Sequence, residues 1–183
     1  AKAQAAFADY GQYLDSLEMT ATIKGFDPLY IQRIAQLTNK SNQFNLTTLR
    51  CSEDDIRAMA GDRNDLCLCG KLVDKFGDNG IVTVVAGRQQ GDALDLTLWL
   101  MSCRVLKRGM EDAMMDTLMA QAAATGVKTV VGHYYPTAKN AMVRDFYAQF
   151  GFAKTAEDAE GNTEWRLEVS GYEPKHPHMK IER

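Results

Sequence analysis

Trp99-Leu-Met-Ser-Cys-Arg-Val-Leu-Lys-Arg-Gly-Met110 carries an apolar strand, residues 93–102, into a basic turn and straight on into a long amphipathic helix. Strand, positive loop and helix start in succession suit a phosphate, because the first N–H groups of a helix lack intrahelical partners and point outward. Arg104, Lys107 and Arg108 add charge to the loop, and Gly109 lets the backbone come close to a ligand. Cys103 sits at the hinge between strand and loop. The same residues also read as a strand end followed by a solvated basic turn and a buried thiol.

Downstream, Met110, Ala113, Met114, Thr117, Leu118, Gln121 and Ala122 mark one face of the helix, which Gly126 closes. Residues 128–135 read as the next strand, and a crossover of this length makes it parallel to its predecessor. Asn140 opens another helix, with Met142, Val143, Phe146, Tyr147 and Phe150 facing inward and Gly151 ending it. Residues 152–157 and 164–169 form a last hairpin around Glu160-Gly-Asn162. From Pro174 the tail reads as polar and loose, with His176 and His178 solvated rather than metal-ligating.

Upstream, Phe7, Tyr10, Leu14 and Leu17 recur at helical spacing, and residues 18–24 alternate like a short strand. Asp27-Pro28 caps a helix carrying Ile31, Ile34, Ala35 and Leu37, which runs into an amide-rich stretch, Thr38-Asn-Lys-Ser-Asn-Gln-Phe-Asn45. Ser52-Glu-Asp-Asp55 is a capping box for a helix ending near Gly61. Strands at 66–74 and 81–87 flank the turn Phe76-Gly-Asp-Asn-Gly80, in which Asp78 reads as structural. A second turn, 87–92, leads to the strand at 93, so these strands form an antiparallel meander.

A chain of 183 residues makes one domain with a sizeable core, expected at 18–172, preceded by a helix at 1–17 and followed by a flexible tail at 173–183. The net charge of -3 gives no general attraction to nucleic acid or to a membrane surface. No apolar run approaches the roughly 20 residues that span a bilayer, and no signal-peptide pattern is present. The chain opens on Ala1 without an initiator Met, and so reads as processed or as a piece of something longer. Cys51, Cys67, Cys69 and Cys103 lack zinc or thioredoxin spacing, and Cys67 and Cys69 point to the same face of a strand. No disulfide and no metal are expected, and the composition suits a reduced, cytoplasmic protein.

The element order, β-α-α-β-β-β-α-β-α-β-β after an extra N-terminal helix, resembles that of the GNAT acyltransferases. Their acyl-carrier motif has Gln or Arg, two residues, Gly, one residue, then Gly or Ala. Arg104-Val-Leu-Lys-Arg-Gly109 matches at both ends, with Lys107 where the first Gly belongs. Asn140-Ala-Met-Val-Arg-Asp-Phe-Tyr147-Ala-Gln-Phe-Gly151-Phe152 reproduces a second motif: Asn, Tyr seven residues on, then Gly-Phe. The resemblance implies an α/β (α+β) fold with a mixed central sheet of about seven strands flanked by helices. Strands four and five would splay apart, with the acyl thioester in the gap. It implies CoA or phosphopantetheine as the cofactor, held by Arg104, Lys107, Arg108, Gly109 and Asn140, with Tyr147 protonating the leaving thiolate.

Four further strings resemble the C-terminal domain of FkbH-type proteins, where a HAD-like phosphatase domain precedes a GNAT-like one. They are Leu37-Thr-Asn-Lys-Ser-Asn-Gln-Phe-Asn45 with Thr47-Thr48, Asp74-Lys-Phe-Gly-Asp-Asn-Gly80, Trp99-Leu-Met-Ser-Cys-Arg-Val-Leu, and Tyr134-Tyr-Pro-Thr-Ala-Lys-Asn140. This resemblance implies transfer of an activated glyceryl group to the phosphopantetheine thiol of an acyl carrier protein, in polyketide biosynthesis. The implied partners are that carrier and an upstream phosphatase domain, whose aspartate motif this chain lacks.

On this reading Cys103 is a nucleophile activated by the surrounding positive charge and passes through an acyl-S-Cys103 intermediate. His133, ending strand five, is expected opposite Cys103 as its base, and Tyr147 as general acid. Asn39, Lys40, Asn42 and Gln43 are placed to hydrogen-bond the hydroxyls or phosphate of a glyceryl group, although a solvated loop favours the same residue types. Two other readings stand beside this one. An acetyl-CoA-dependent N-acetyltransferase would need full CoA, and the Lys107 side chain would crowd its pyrophosphate turn. A non-catalytic domain would only dock the carrier protein.

Overall fold

A computed structural model describes residues 2–183, with side chains from Asp9 onward. The elements are α1 (Lys2–Ser16), β1 (Thr20–Lys24), α2 (Ile31–Lys40), α3 (Glu53–Gly61), β2 (Asp65–Asp74), β3 (Gly77–Gln90) and β4 (Ala93–Met101), then α4 (Met110–Ala124), β5 (Thr129–Tyr134), β6 (Ala153–Glu157), β7 (Thr163–Glu168) and β8 (Lys180–Glu182). They build one mixed sheet of eight strands in the order β6-β7-β5-β4-β3-β2-β1-β8. The β1–β4 meander is antiparallel and β5 runs parallel to β4, as the hairpin and crossover lengths require.

Local chemistry sets the helix starts. Asp27 accepts the Leu29 N–H at 2.8 Å, with Pro28 in the first turn leading to α2. Ser52 and Asp55 close the expected capping box, the Asp55 N–H donating to Ser52 Oγ and the Ser52 N–H to Asp55 Oδ2. Hydrogen bonds to the carboxylate from the Ser52 N–H, and then from its side chain, lower the Asp55 pKa.

Each face of the sheet buries its own apolar layer. On one, Ile34, Leu37 and Ile56 of α2 and α3 pack on Val84, Leu98 and Leu100. On the other, Met114, Leu118 and Ala122 of α4 pack on Leu72, Val85 and Trp99. Trp99 is fully buried, and its truncation to Ala costs about 3–5 kcal/mol on the scale of core aromatic deletions.

One irregularity in β4 prepares the site. Gly87 pairs with Leu96 and Ala86 with Leu98, leaving Thr97 without a partner in β3. This bulge flips the strand's alternation: Leu94 and Leu96 face α4, but beyond it Trp99 and Met101 do so and Leu98 and Leu100 turn to α2 and α3. Pairing of β4 with β5 stops just before it, at Asp95 and Val131, and the two strands part from there.

Several expectations need correction. The segment after Asn140 is not a regular helix: Ala141–Val143 and Tyr147–Phe150 are 3₁₀ turns, held by i→i−3 bonds such as Phe146 N–H to Val143 O. Three residues per turn bring Val143, Phe146 and Phe150 inward but leave Met142 half exposed. The turn expected over 76–80 is only Lys75-Phe76, because Asp74 already pairs with Gly77. In α1, Leu14 and Leu17 are buried but Tyr10 is 38 % exposed, and the Phe7 side chain lies outside the described residues. The tail expected to be loose is docked instead. Buried Asp116 accepts the Tyr172 hydroxyl and the N–H groups of Lys175 and His176, and β8 joins β1 as the strand beyond the seven expected.

Candidate active site

Cys103 lies just past the end of β4, exposed, in a 3₁₀ turn (Cys103–Val105) whose cap is the Ser102 hydroxyl. Its Sγ is 3.2 Å from Gln43 Oε1. Both line a cleft of about 610 Å³ between the end of α2, the turn after β4 and the segment after β5. Lys40, Asn42 and Arg104, all expected at the site, line it too. Asn42 is held in place by Arg50, which donates to its side chain and to the carbonyls of Thr38 and Ser41. The cleft contains two residues the sequence did not single out, Arg33 and Lys139. Their signal was present: Arg33, Leu37 and Lys40 share one face of α2 at i, i+4 and i+7.

Other expected site residues are elsewhere. Asn39 donates to the carbonyls of Ala35 at 2.9 Å and Cys51 at 3.0 Å, fastening α2 to the start of α3 rather than facing the cleft. Lys107, Arg108 and Gly109 line a separate cavity of about 330 Å³, roofed by Tyr10 of α1 and Pro177 of the tail. The Tyr10 hydroxyl donates to the Lys107 carbonyl, and Arg108 is bound to Asp74 at 3.0 Å. Burial alone would raise the Asp74 pKa, but the Phe76 N–H and the Arg108 guanidinium outweigh it and hold the carboxyl low. Glu111 and Asp112 share this cavity, and burial raises both of their pKa values. Of the loop's three cations, only Arg104 reaches the thiol's cleft.

His133 is not opposite Cys103. It lies two residues past the last β4–β5 pair, Asp95 with Val131, whereas Cys103 lies beyond the far end of β4 in the turn after Met101. It is bonded instead to Asp95, with Nε2 2.6 Å from the carboxylate. That bond raises its pKa, against the opposing effect of burial. Tyr147 is 1 % exposed, its ring so close to Gly132 that a Cβ there would sit 2.4 Å from it. Burial drives its pKa far above the usual tyrosine value. Neither residue contacts the cleft.

The gap between β4 and β5 is occupied by the chain itself. Residues 44–46 run antiparallel along the β4 edge that β5 has left: Leu46 N–H donates to Trp99 O and Met101 N–H to Phe44 O, both at 3.0 Å. On the other side, Tyr135 N–H donates to Leu46 O at 2.9 Å. Asn140 completes the seal. It is fully buried, donating to the carbonyls of Asn45 and Tyr135 and accepting from Thr137 N–H and the Tyr134 hydroxyl. The slot in which a pantetheine arm was expected, and the asparagine expected to hold it, are both satisfied internally. The residues present there do not fit CoA in this conformation.

The remaining thiols are unlike Cys103. Burial pushes Cys67 up to about 12 and Cys69 up to about 11, and raises Cys51 as well. Cys67 and Cys69 do share a face, packed beside α2 and α3. Among the described residues no group of three or more His, Cys, Asp or Glu converges as for a metal, and no helix is long and apolar enough to cross a membrane.

No family profile and no curated protein matches the chain. Solved structures do. The ribosomal-protein-S18-alanine N-acetyltransferase of Escherichia coli superposes with a TM-score of 0.61 at 14% identity, over 81% of this chain and 94% of that one. A putative GNAT-family acetyltransferase of Desulfovibrio desulfuricans gives 0.64 at 13%, over 81% and 99%. The spermidine N-acetyltransferase of Vibrio cholerae, solved in complex with CoA and spermine, gives 0.62 at 10%, over 82% and 96%. The fold is therefore the GNAT fold.

Proposed function

We propose that this chain is an acyltransferase domain that carries its acyl group on Cys103 and delivers it to a thiol presented by an acyl carrier protein. The GNAT fold of the neighbours supports acyl transfer in general. The observation that favours this chemistry is the arrangement at the end of β4. An exposed thiol faces a cationic cleft, while the slot a CoA arm would enter is filled by residues 44–46. A thiol at the mouth of the cleft needs no access to that slot.

The Cys103 thiolate attacks the activated acyl carbon, the S–C bond forms, and the bond to the donor's leaving group breaks with the electron pair going to that group. The acceptor thiolate then attacks the thioester, releasing Cys103 as a thiolate. The Cys103 thiol donates to Gln43 Oε1, which orients the sulfur, and Arg104, Lys40, Arg33 and Lys139 line the cleft that an anionic leaving group would enter. Glyceryl, drawn from an acyl phosphate, is the acyl group the FkbH-type resemblance favours.

The test is a transfer assay with an activated glyceryl donor and an acyl carrier protein. Cys103→Ala is expected to abolish loading of the carrier, whereas His133→Gln retains it. Full transfer by Cys103→Ala sinks the proposal. Acetylation of an amine from acetyl-CoA by the same variant supports the N-acetyltransferase reading, which requires residues 44–46 to leave the slot.

A further inference from the structure

Among the described residues two places gather cations, and they differ in what answers the charge. At the loop before α4, Arg108 is paired with Asp74, the Lys107 carbonyl is engaged by Tyr10, and Glu111 and Asp112 share the cavity. The cleft beside Cys103 has no carboxylate in its lining. Arg33 and Lys40 come from α2, Arg104 from the turn after β4, and Lys139 from the segment after β5. Among the described residues none of these four makes an ion pair. In a chain of net charge -3, four cations lining one cleft from three elements, with no acid in the lining, focus a positive potential that attracts an anion. The wall is also shaped in advance, since Arg50 fixes the 41–43 turn by bonds to Ser41 and Asn42.

We infer that this cleft binds a phosphate monoester dianion, held by Arg33, Lys40 and Lys139 with Arg104 at its edge, beside the Cys103 sulfur. The loop before α4 is the poorer anion site, since Arg108 is paired with Asp74, acids share its cavity, and Tyr10 and Pro177 cover it. The purpose of the bound phosphate rests on the transferase reading; the binding rests on the cleft alone. A small phosphorylated acyl donor and the phosphate of a pantetheine arm both carry this group.

The test reads alkylation of Cys103 by iodoacetamide, a neutral reagent, by peptide mass spectrometry at matched ionic strength. Inorganic phosphate, glycerol phosphate and 4′-phosphopantetheine are compared with chloride. All three phosphates are expected to slow alkylation of Cys103 in a saturable way. Each cation removed should weaken protection about three- to tenfold, so Arg33→Gln with Lys139→Gln should nearly abolish it. Tighter protection by glycerol phosphate assigns the site to a free donor, and by phosphopantetheine to the carrier arm. No protection by any of the three, or equal protection of the double variant, overturns the inference. Lys139→Gln alone, at an exposed position, carries the test if Arg33→Gln fails to fold. An acyl adduct that fails to form while phosphate protection persists refutes the transferase reading and leaves the site standing.

Discussion

Replacing Asn140 by Ala separates a ligand anchor from a structural seal. The side chain is fully buried and makes four bonds: Nδ2 to Asn45 O at 2.9 Å and to Tyr135 O at 3.0 Å, and Oδ1 from Thr137 N–H at 2.8 Å and from the Tyr134 hydroxyl at 3.2 Å. Truncation removes the partner of the Asn45 and Tyr135 carbonyls and of the Thr137 N–H. At about 1–2 kcal/mol for each of the three backbone groups stranded, the loss is about 3–6 kcal/mol. With a urea m-value of about 2–3 kcal/mol/M for a chain of this size, the midpoint falls by about 1–3 M. Urea unfolding followed by far-UV circular dichroism measures it. Asn140→Asp adds a signed control. The carboxylate would face the Asn45 and Tyr135 carbonyls, so the folded state favours its protonated form and raises its pKa. The variant's deficit should then grow as pH rises past the unfolded value of about 4. A well-folded Asn140→Ala protein, within about 0.5 kcal/mol of the parent, would falsify the structural role.

Other predictions follow from the same contacts. Tyr147→Phe should leave transfer unchanged, because the hydroxyl is sealed away from the cleft, whereas Gly132→Ala should cost about 3 kcal/mol by driving a methyl into the Tyr147 ring, as thermal unfolding will read. Iodoacetamide should label Cys103 long before Cys67 and Cys69, whose pKa values of about 12 and about 11 keep them as thiols; equal rates at neutral pH would contradict the burial seen for them. The Asp95–His133 bond raises the histidine's pKa in the folded state, so its stabilisation is fully present below about pH 6.5 and is lost as pH rises through the higher folded value. Urea midpoints against pH should show that slope in the parent and lose it in Asp95→Asn. Asp116→Ala should release the tail, seen as faster amide exchange at Lys180–Glu182, because it removes the acceptor for Tyr172, Lys175 and His176.

The elements were largely legible because each carries a local device: the Asp27-Pro28 cap, the Ser52–Asp55 box, the alternation of the meander. What escaped the sequence was non-local. Nothing in Phe44-Asn45-Leu46 announces that it will take the edge β5 leaves, since the bonding partners, Trp99 and Met101, lie more than fifty residues away. The tail looked loose because its acceptor, Asp116, is on a distant helix. Motif matching at Asn140 and Tyr147 found residues that matter to the fold but assigned them to a ligand. His133 was misplaced because the Thr97 bulge and the short β4–β5 pairing decide how far apart strand ends lie. Cys103, Lys40, Asn42 and Gln43 were found together since each lies where a strand or helix ends, and such ends meet at one rim of the sheet.

The most direct test of the account is a calorimetric titration of the protein with CoA, read alongside amide exchange at Leu46 and Met101. The account predicts no binding at micromolar CoA and slow exchange at both amides throughout, because the slot between β4 and β5 is closed by residues 44–46. Micromolar binding with both amides released would show that the segment gives way to a pantetheine arm, and would return this chain to CoA-dependent chemistry.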